Sequence, residues 1–210
     1  MKTIILTMTA MAFAVASSVA QVDDRSKFRF GLKAGANYSN IYDSQTDKLN
    51  ANGKLGFAGG GFITFPLGKI IGIQPEILLS QKGFKATGSL LGSSYDLTRT
   101  TTYLDVPILL SVKPIEYLTI LVGPQYSFLL KQKNVLANST TSIDQEKVFT
   151  NDNVRKNILC ITGGADLNLG RFIVGARLGW DLQNNNGDGT STTPRYKNVW
   201  YQATIGIRIL

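Results

Sequence analysis

Nine charged residues recur at alternate positions within otherwise apolar stretches: Arg29, Lys33, Lys82, Arg177 and Arg208, against Glu76, Asp105, Asp166 and Asp181. Carboxylates and cations so placed can perform acid–base chemistry, filter ions, or neutralise one another. The first role usually calls for a group titrating near neutrality, and the chain contains no histidine. That removes the commonest general base, the nucleophilic triads built on histidine and the usual zinc ligand. Cys160 is the single cysteine. It has no histidine partner and sits in an apolar run, so it reads as a packed, inert thiol. The Asn- and Gly-rich string from Asn184 to Thr193 lacks the terminal Glu of a calcium loop and reads as solvated connection. No catalytic, cofactor or metal site is expected, and the chain is not read as an enzyme.

What the charges do then depends on where their side chains point. From Thr100 to Leu130, two runs of period-two alternation flank one tight turn. Thr102, Leu104, Val106, Ile108, Leu110 and Val112 oppose Tyr103, Asp105, Leu109 and Ser111; Leu118, Ile120, Val122, Tyr126, Phe128 and Leu130 oppose Thr119, Gln125, Ser127 and Lys131. This is the pattern of a hairpin with one apolar face. Further runs begin at Phe28, Leu55, Ile73, Leu159, Phe172 and Val199, which makes eight strands in all. Their connections alternate long and short, the long ones being Tyr38 to Lys54, Phe84 to Arg99, Gln132 to Arg155 and Gln183 to Tyr196. An up-and-down barrel would gather every long connection at one end and every tight turn at the other.

The runs are long enough to cross a bilayer as tilted strands. Met1 to Ala20 combines a basic start, an apolar core and a small-residue site, and reads as a cleaved signal peptide; residues 21–210 form the barrel domain. The expected fold is thus all-β: an eight-stranded antiparallel up-and-down transmembrane β-barrel with a cleaved N-terminal signal peptide. Two sets of aromatics fit girdles at the two interfaces, Phe28, Phe65 and Phe172 at the tight-turn end, and Phe57, Tyr126, Phe128, Trp180 and Tyr201 at the other. Pro75, Pro107 and Pro124 fall inside strands, where proline cannot donate to a ladder, and bulges are expected there.

In this arrangement the nine charges face the lumen. An eight-stranded barrel is about filled by its own side chains, and buried charges must pair, so they are expected to form an internal ion-pair plug. Asp166 and Arg177 are the best candidates for a specific pair, because the Gly170-Arg171 hairpin sets them diagonally on neighbouring strands. The net charge of +8 is spread along the chain. It suits anionic lipid headgroups better than nucleic acid.

The pieces GLKAGANYSN (Gly31 to Asn40), IQPEILLSQKG (Ile73 to Gly83), YLDVPILLSV (Tyr103 to Val112) and VGPQYSFLL (Val122 to Leu130) resemble the PorT-like outer-membrane β-barrel proteins of Bacteroidetes, as does the closing run from Lys197 to Leu210. The resemblance implies an eight-stranded barrel in the outer membrane of a Gram-negative bacterium, delivered by the outer-membrane insertion machinery. It carries over no catalytic motif. Barrels of this kind commonly finish in an aromatic residue, where this sequence has Ile209-Leu210.

The leading functional expectation is a small, plugged barrel with a structural or interaction role at the cell envelope, related to a secretion apparatus or to adhesion. Its partners would be outer-membrane lipid and envelope proteins met through the long loops. One alternative is a narrow pore or small-ligand conduit, motivated by the polar lumen and by inward Gly31, Gly35, Gly175, Gly179 and Gly206. Another is a soluble, lipocalin-like binding barrel, which would reverse the facing and put the apolar residues inside.

Overall fold

From Phe172 to Asp181 every outward residue is exposed and every inward one buried, without a break. That regularity recurs around a wall made of β1 (Arg29–Tyr42), β2 (Ala51–Pro66), β3 (Ile71–Leu90), β4 (Ser93–Ile115), β5 (Leu118–Asn138), β7 (Asn157–Leu169), β8 (Phe172–Asp181) and β9 (Lys197–Arg208). The structure, a computed structural model, describes residues 27–42, 51–90, 93–138, 142–147, 155–185 and 196–209. The expected signal peptide, residues 1–20, lies outside the described residues, as does most of the Asn- and Gly-rich string. Each wall strand pairs antiparallel with its neighbours, and the β1–β9 and β4–β5 pairings close the sheet into an eight-stranded barrel. A ninth strand, β6 (Ser142–Lys147), pairs with the outer part of β5 beyond the barrel wall.

Two of the expected long connections are largely sheet. The stretch Phe84 to Arg99 continues the β3–β4 ladder out to Leu90 and Ser93, and β5 runs on to Asn138 before folding back as β6. Backbone groups beyond the membrane need partners as much as those within it, and a hairpin supplies them even where polar side chains hide the alternation.

The tight turns behave as expected. Gly170 takes a left-handed φ of 62° in the two-residue link between β7 and β8, a conformation that glycine adopts without a Cβ penalty. Adjacent turns are stitched together by backbone hydrogen bonds: Lys113 N donates to Ile70 O, Asn168 N to Tyr117 O, Arg208 N to Arg171 O and Ile209 N to Phe30 O.

The expected bulges at the prolines do not occur. Register is unbroken past all three, and each proline instead sits beside missing rungs. Pairing between β2 and β3 lapses opposite Gln74 and Pro75, that between β3 and β4 lapses at Glu76/Pro107 and Ile77/Val106, and that between β4 and β5 lapses at Ile108/Pro124 and Leu109/Gly123. The absent proline donors are accommodated by gaps that step diagonally across the wall. The register shifts lie elsewhere, between Gly53 and Ala58 in β2, at Thr102/Tyr103 and between Val112 and Ile115. The shift at Tyr103 reverses the facing of β5 beyond Leu130. Gln132 therefore turns inward and is buried, and Lys131, expected on the inner face, lies on the outer one.

The facing of the wall is inverted relative to a water-soluble protein. Leu55 is 68% exposed, Ile205 67% and Ile77 59%, whereas Glu76, Asp105 and Lys82 are at most 3% exposed. A soluble barrel with an apolar interior is thereby overturned. All eight expected girdle aromatics are exposed, and Tyr38, Tyr42 and Tyr117 join them. Phe28 packs edge-on against Phe65 at 5.4 Å. The run from Phe172 to Leu182, at ~3.3 Å per residue and a tilt of ~40°, rises about 25 Å, the height of an outer-membrane apolar band.

Candidate functional site

The lumen is crossed by side chains at two levels. Nearer the tight turns, Arg177 on β8 holds Asp166 on β7 through two parallel hydrogen bonds, from Nη1 to Oδ1 at 2.6 Å and from Nη2 to Oδ2 at 2.9 Å. Such a bidentate fork is the strongest geometry available to this pair. The same guanidinium lies 3.7 Å from Glu76 Oε1 on β3, and Glu76 Oε2 pairs in turn with Lys33 of β1. Gln74 Nε2 donates to Glu76 at 2.9 Å and is itself fixed by Thr64, whose hydroxyl donates to Gln74 Oε1 at 2.8 Å. Two cations and two carboxylates thus form one chain that bridges opposite walls.

Nearer the other end, Lys82 of β3 is fully buried with Asp105 Oδ2 at 3.1 Å and Ser127 Oγ at 3.4 Å. Its ammonium sits 3.7 Å from the centroid of the Trp200 ring, a desolvated cation–π contact. Trp200 packs with Tyr103, Leu129, Ile158 and Cys160 in an apolar cluster inside the lumen. Asp181 anchors the margin of this cluster. It accepts hydrogen bonds from Cys160 Sγ at 3.1 Å, Asn185 Nδ2 at 3.0 Å, Asn198 N at 2.9 Å and Asn198 Nδ2 at 2.6 Å. Asn185 and Asn198 stand at the two ends of the β8–β9 connection, so one carboxylate ties both ends to the wall. Farther out, Arg99 donates to Asn134 Oδ1 at 2.9 Å and Tyr196 Oη at 3.1 Å, with Phe84 stacked edge-on against Tyr196.

Local sequence explains how these groups meet. The run Gly56 to Gly61 in β2 carries no inward side chain larger than Ala58. Side chains of β1 therefore reach past it to β3: Asn37 Nδ2 donates to Ser80 Oγ at 2.8 Å, and Ser39 Oγ to Gly83 O at 2.9 Å. Gln202 Nε2 of β9 completes the strut by donating to Asn37 Oδ1 at 2.9 Å.

Of the nine sequence-derived charges, Lys33, Glu76, Asp166 and Arg177 share one network, and Lys82 and Asp105 form a separate pair. Asp181 is held by thiol and amide donors. Arg29 is buried in the lumen. Arg208 departs from the expected lumen set: it is half-exposed at the tight-turn rim, where Nη2 donates to Gly170 O. It occupies the last rung of β9, where its register partner is Gly31 of β1.

Lys113 is a buried cation that the sequence reading missed, because the fourth run was ended at Val112 whereas β4 continues to Ile115. The inward glycines do not leave the space expected of them. A Cβ at Gly31 would strike the Phe62 ring, one at Gly179 the Trp200 ring, and one at Gly175 would lie 2.6 Å from Asp166 Oδ1 and 2.7 Å from Thr204 Oγ1. At these three positions a neighbour's side chain occupies the space, whereas a Cβ at Gly35 or Gly206 would meet the backbone oxygen of Ala203 or Leu32. Among the described residues, no group of His, Cys, Asp and Glu is arranged to hold a metal ion.

A closed sheet of transmembrane length, lipid-facing outside and charged within, defines an integral outer-membrane β-barrel. The chain belongs to the outer membrane protein beta-barrel domain family, whose sequence profile matches residues 19–187. It is a protein of the outer membrane of a Gram-negative bacterium. Comparison with curated proteins gives no significant match. Among solved structures, Ail, the attachment invasion locus protein of Yersinia pestis, is 14% identical with a TM-score of 0.46, covering 87% of this chain and 99% of that one. Neisserial surface protein A is 9% identical with a TM-score of 0.47, over 85% and 96% of the two chains. OprG from Pseudomonas aeruginosa is 11% identical with a TM-score of 0.44, over 90% and 99%.

Proposed function

We propose that this protein is a closed, non-catalytic barrel whose role is structural or adhesive at the cell envelope, with its long connections facing outward to meet envelope proteins. The observation that carries this reading is the double closure of the lumen, by the chain from Lys33 through Glu76 and Arg177 to Asp166, and by Trp200 over Lys82. A barrel filled by its own side chains offers its outer surface and hairpins, rather than its bore, for function. Within the family we place it with the PorT-like proteins of Bacteroidetes, on the four sequence pieces quoted above, which implies a connection with a secretion apparatus.

Planar-bilayer recording tests the closure: the purified barrel should show no steady conductance. Protease added to intact cells tests the orientation and should cut within the long connections; uncut connections would reverse it. A narrow conduit is the second reading. It is favoured by Ser111 Oγ, Gln132 Oε1 and Arg177 Nε, which are buried without hydrogen-bond partners and are sites where water would be satisfied. Steady conductance whose ion preference changes in Glu76→Gln would select that reading.

A further inference from the structure

On one side of the barrel, the outer wall changes chemistry abruptly at a single level. Leu79, Leu104 and Phe128 are register partners on β3, β4 and β5, all outward and apolar. The next outward rows are Gln81–Thr102–Lys131, then Gly83–Thr100–Lys133, then Lys85–Thr98–Val135. Their facing follows from the buried residues between them, Lys82 and Phe84 on β3, Thr101 and Tyr103 on β4, and Gln132 on β5. Three hydroxyls in file are thus flanked by three ammonium groups, beginning ~7 Å along the strands above the last lipid-facing row. No carboxylate interrupts these rows on β3, β4 or β5. Asp96 stands one row farther out, and on β6 two carboxylate residues adjoin the rows, Glu146 as register partner of Lys133 and Asp144 as register partner of Val135. The wall formed by β8, β9 and β1 differs, presenting Trp180, Leu182, Val199, Asn40 and Tyr42 with Lys197 as the cation among them.

Lysines on the outside of a membrane barrel, directly above its hydrocarbon belt, lie at the depth of lipid headgroups. Their long apolar stems cover the wall while the ammonium reaches the phosphate layer. Threonine hydroxyls between them can donate to phosphate oxygens, which accept several hydrogen bonds at once. We propose that Lys85, Lys131 and Lys133, with Thr98, Thr100 and Thr102, form a binding site on the outer wall for the phosphorylated headgroup of an anionic membrane glycolipid. The assignment deepens the interaction role proposed above and rests on the long connections facing outward, which puts the site in the outer leaflet. The register shift at Tyr103 is what creates it, by turning Lys131 and Lys133 out of the lumen side.

The test is titration of purified barrel in detergent with bisphosphorylated lipid A, reading bound lipid by native mass spectrometry. This readout does not depend on orientation, so its failure is distinguishable from failure of the protease test. Each lysine near an anionic surface contributes roughly a fivefold change in affinity, so Lys85→Gln/Lys131→Gln/Lys133→Gln should weaken binding on the order of a hundredfold. The corresponding triple arginine variant should retain binding, and Lys197→Gln, on the other wall, should match the parent. Heat-shifted gel mobility checks that each variant is folded. The proposal is overturned if the folded triple glutamine variant binds as the parent does, if dephosphorylated lipid A binds equally well, or if equimolar inorganic phosphate displaces the lipid.

Discussion

Arg177 and Glu76 sit on strands with β2, β1 and β9 between them around the wall, yet Arg177 Nη2 lies 3.7 Å from Glu76 Oε1. The bore is narrow enough for one guanidinium to hold a carboxylate on its own side and approach another on the far side. Pairing across the axis, rather than around it, is what the proposed closure of the bore rests on.

Removing one member should therefore cost more than a surface pair would. Asp166→Asn leaves the Arg177 guanidinium buried with half of its compensation, and a loss of ~3 kcal/mol is expected. The double variant Asp166→Asn/Arg177→Gln should recover part of that loss. Urea unfolding of vesicle-inserted protein measures both, and a single variant as stable as the parent would show that the pair adds nothing.

Trp200→Ala should open the outer closure. The indole fills the vacancy at Gly179 and covers Lys82, so its removal leaves a void flanked by an ammonium. Intermittent conductance with anion preference is expected in planar bilayers where the parent shows none. A silent Trp200→Ala barrel would place the main closure at the Glu76 level instead.

Asp181→Ala frees Asn185 and Asn198 together. The β8–β9 connection should then be cut faster by added protease, while the barrel itself stays intact on a heat-shift gel. Equal cutting rates would mean that the flanking ladders alone fix the connection.

Leu178→Lys probes the facing of the wall, because Leu178 stands outward near mid-height of the run from Phe172 to Leu182. A lysine at the lipid-facing midplane of an outer-membrane barrel costs ~2–4 kcal/mol, whereas at a water-exposed position the change would be near neutral. Leu178 is 48% exposed, and reversible unfolding in lipid vesicles reads the difference.

The sequence showed the wall more clearly than its contents. Alternation at Phe172 to Leu182 and at Val199 to Ile209 survives intact because regular pleat forces it. It failed beyond Phe84 and Gln132, where polar residues stand on both faces of the extended hairpins and scattered apolar ones such as Phe84, Leu97 and Val135 form no continuous period-two run. Bulge expectations at Pro75, Pro107 and Pro124 were wrong because a ladder can omit a rung without slipping register, an option that sequence does not display. Asp166 and Arg177 were legible as neighbours through the hairpin that joins them. The approach of Arg177 to Glu76 was not, since it depends on how the closed sheet folds distant strands across the bore. Arg208 was assigned by parity alone, which gives facing but not depth.

The gaps beside Pro75, Pro107 and Pro124 form a stepped line on which neighbouring strands are joined by side-chain packing without cross-links. Resistance to shear is lowest along such a line, so thermal deformation of the cylinder will be directional, flexing across β2 to β5 while the arc from β7 through β9 to β1 moves as a stiff shell. Amide protons bordering the line should exchange first, marking a soft meridian in an otherwise rigid cylinder.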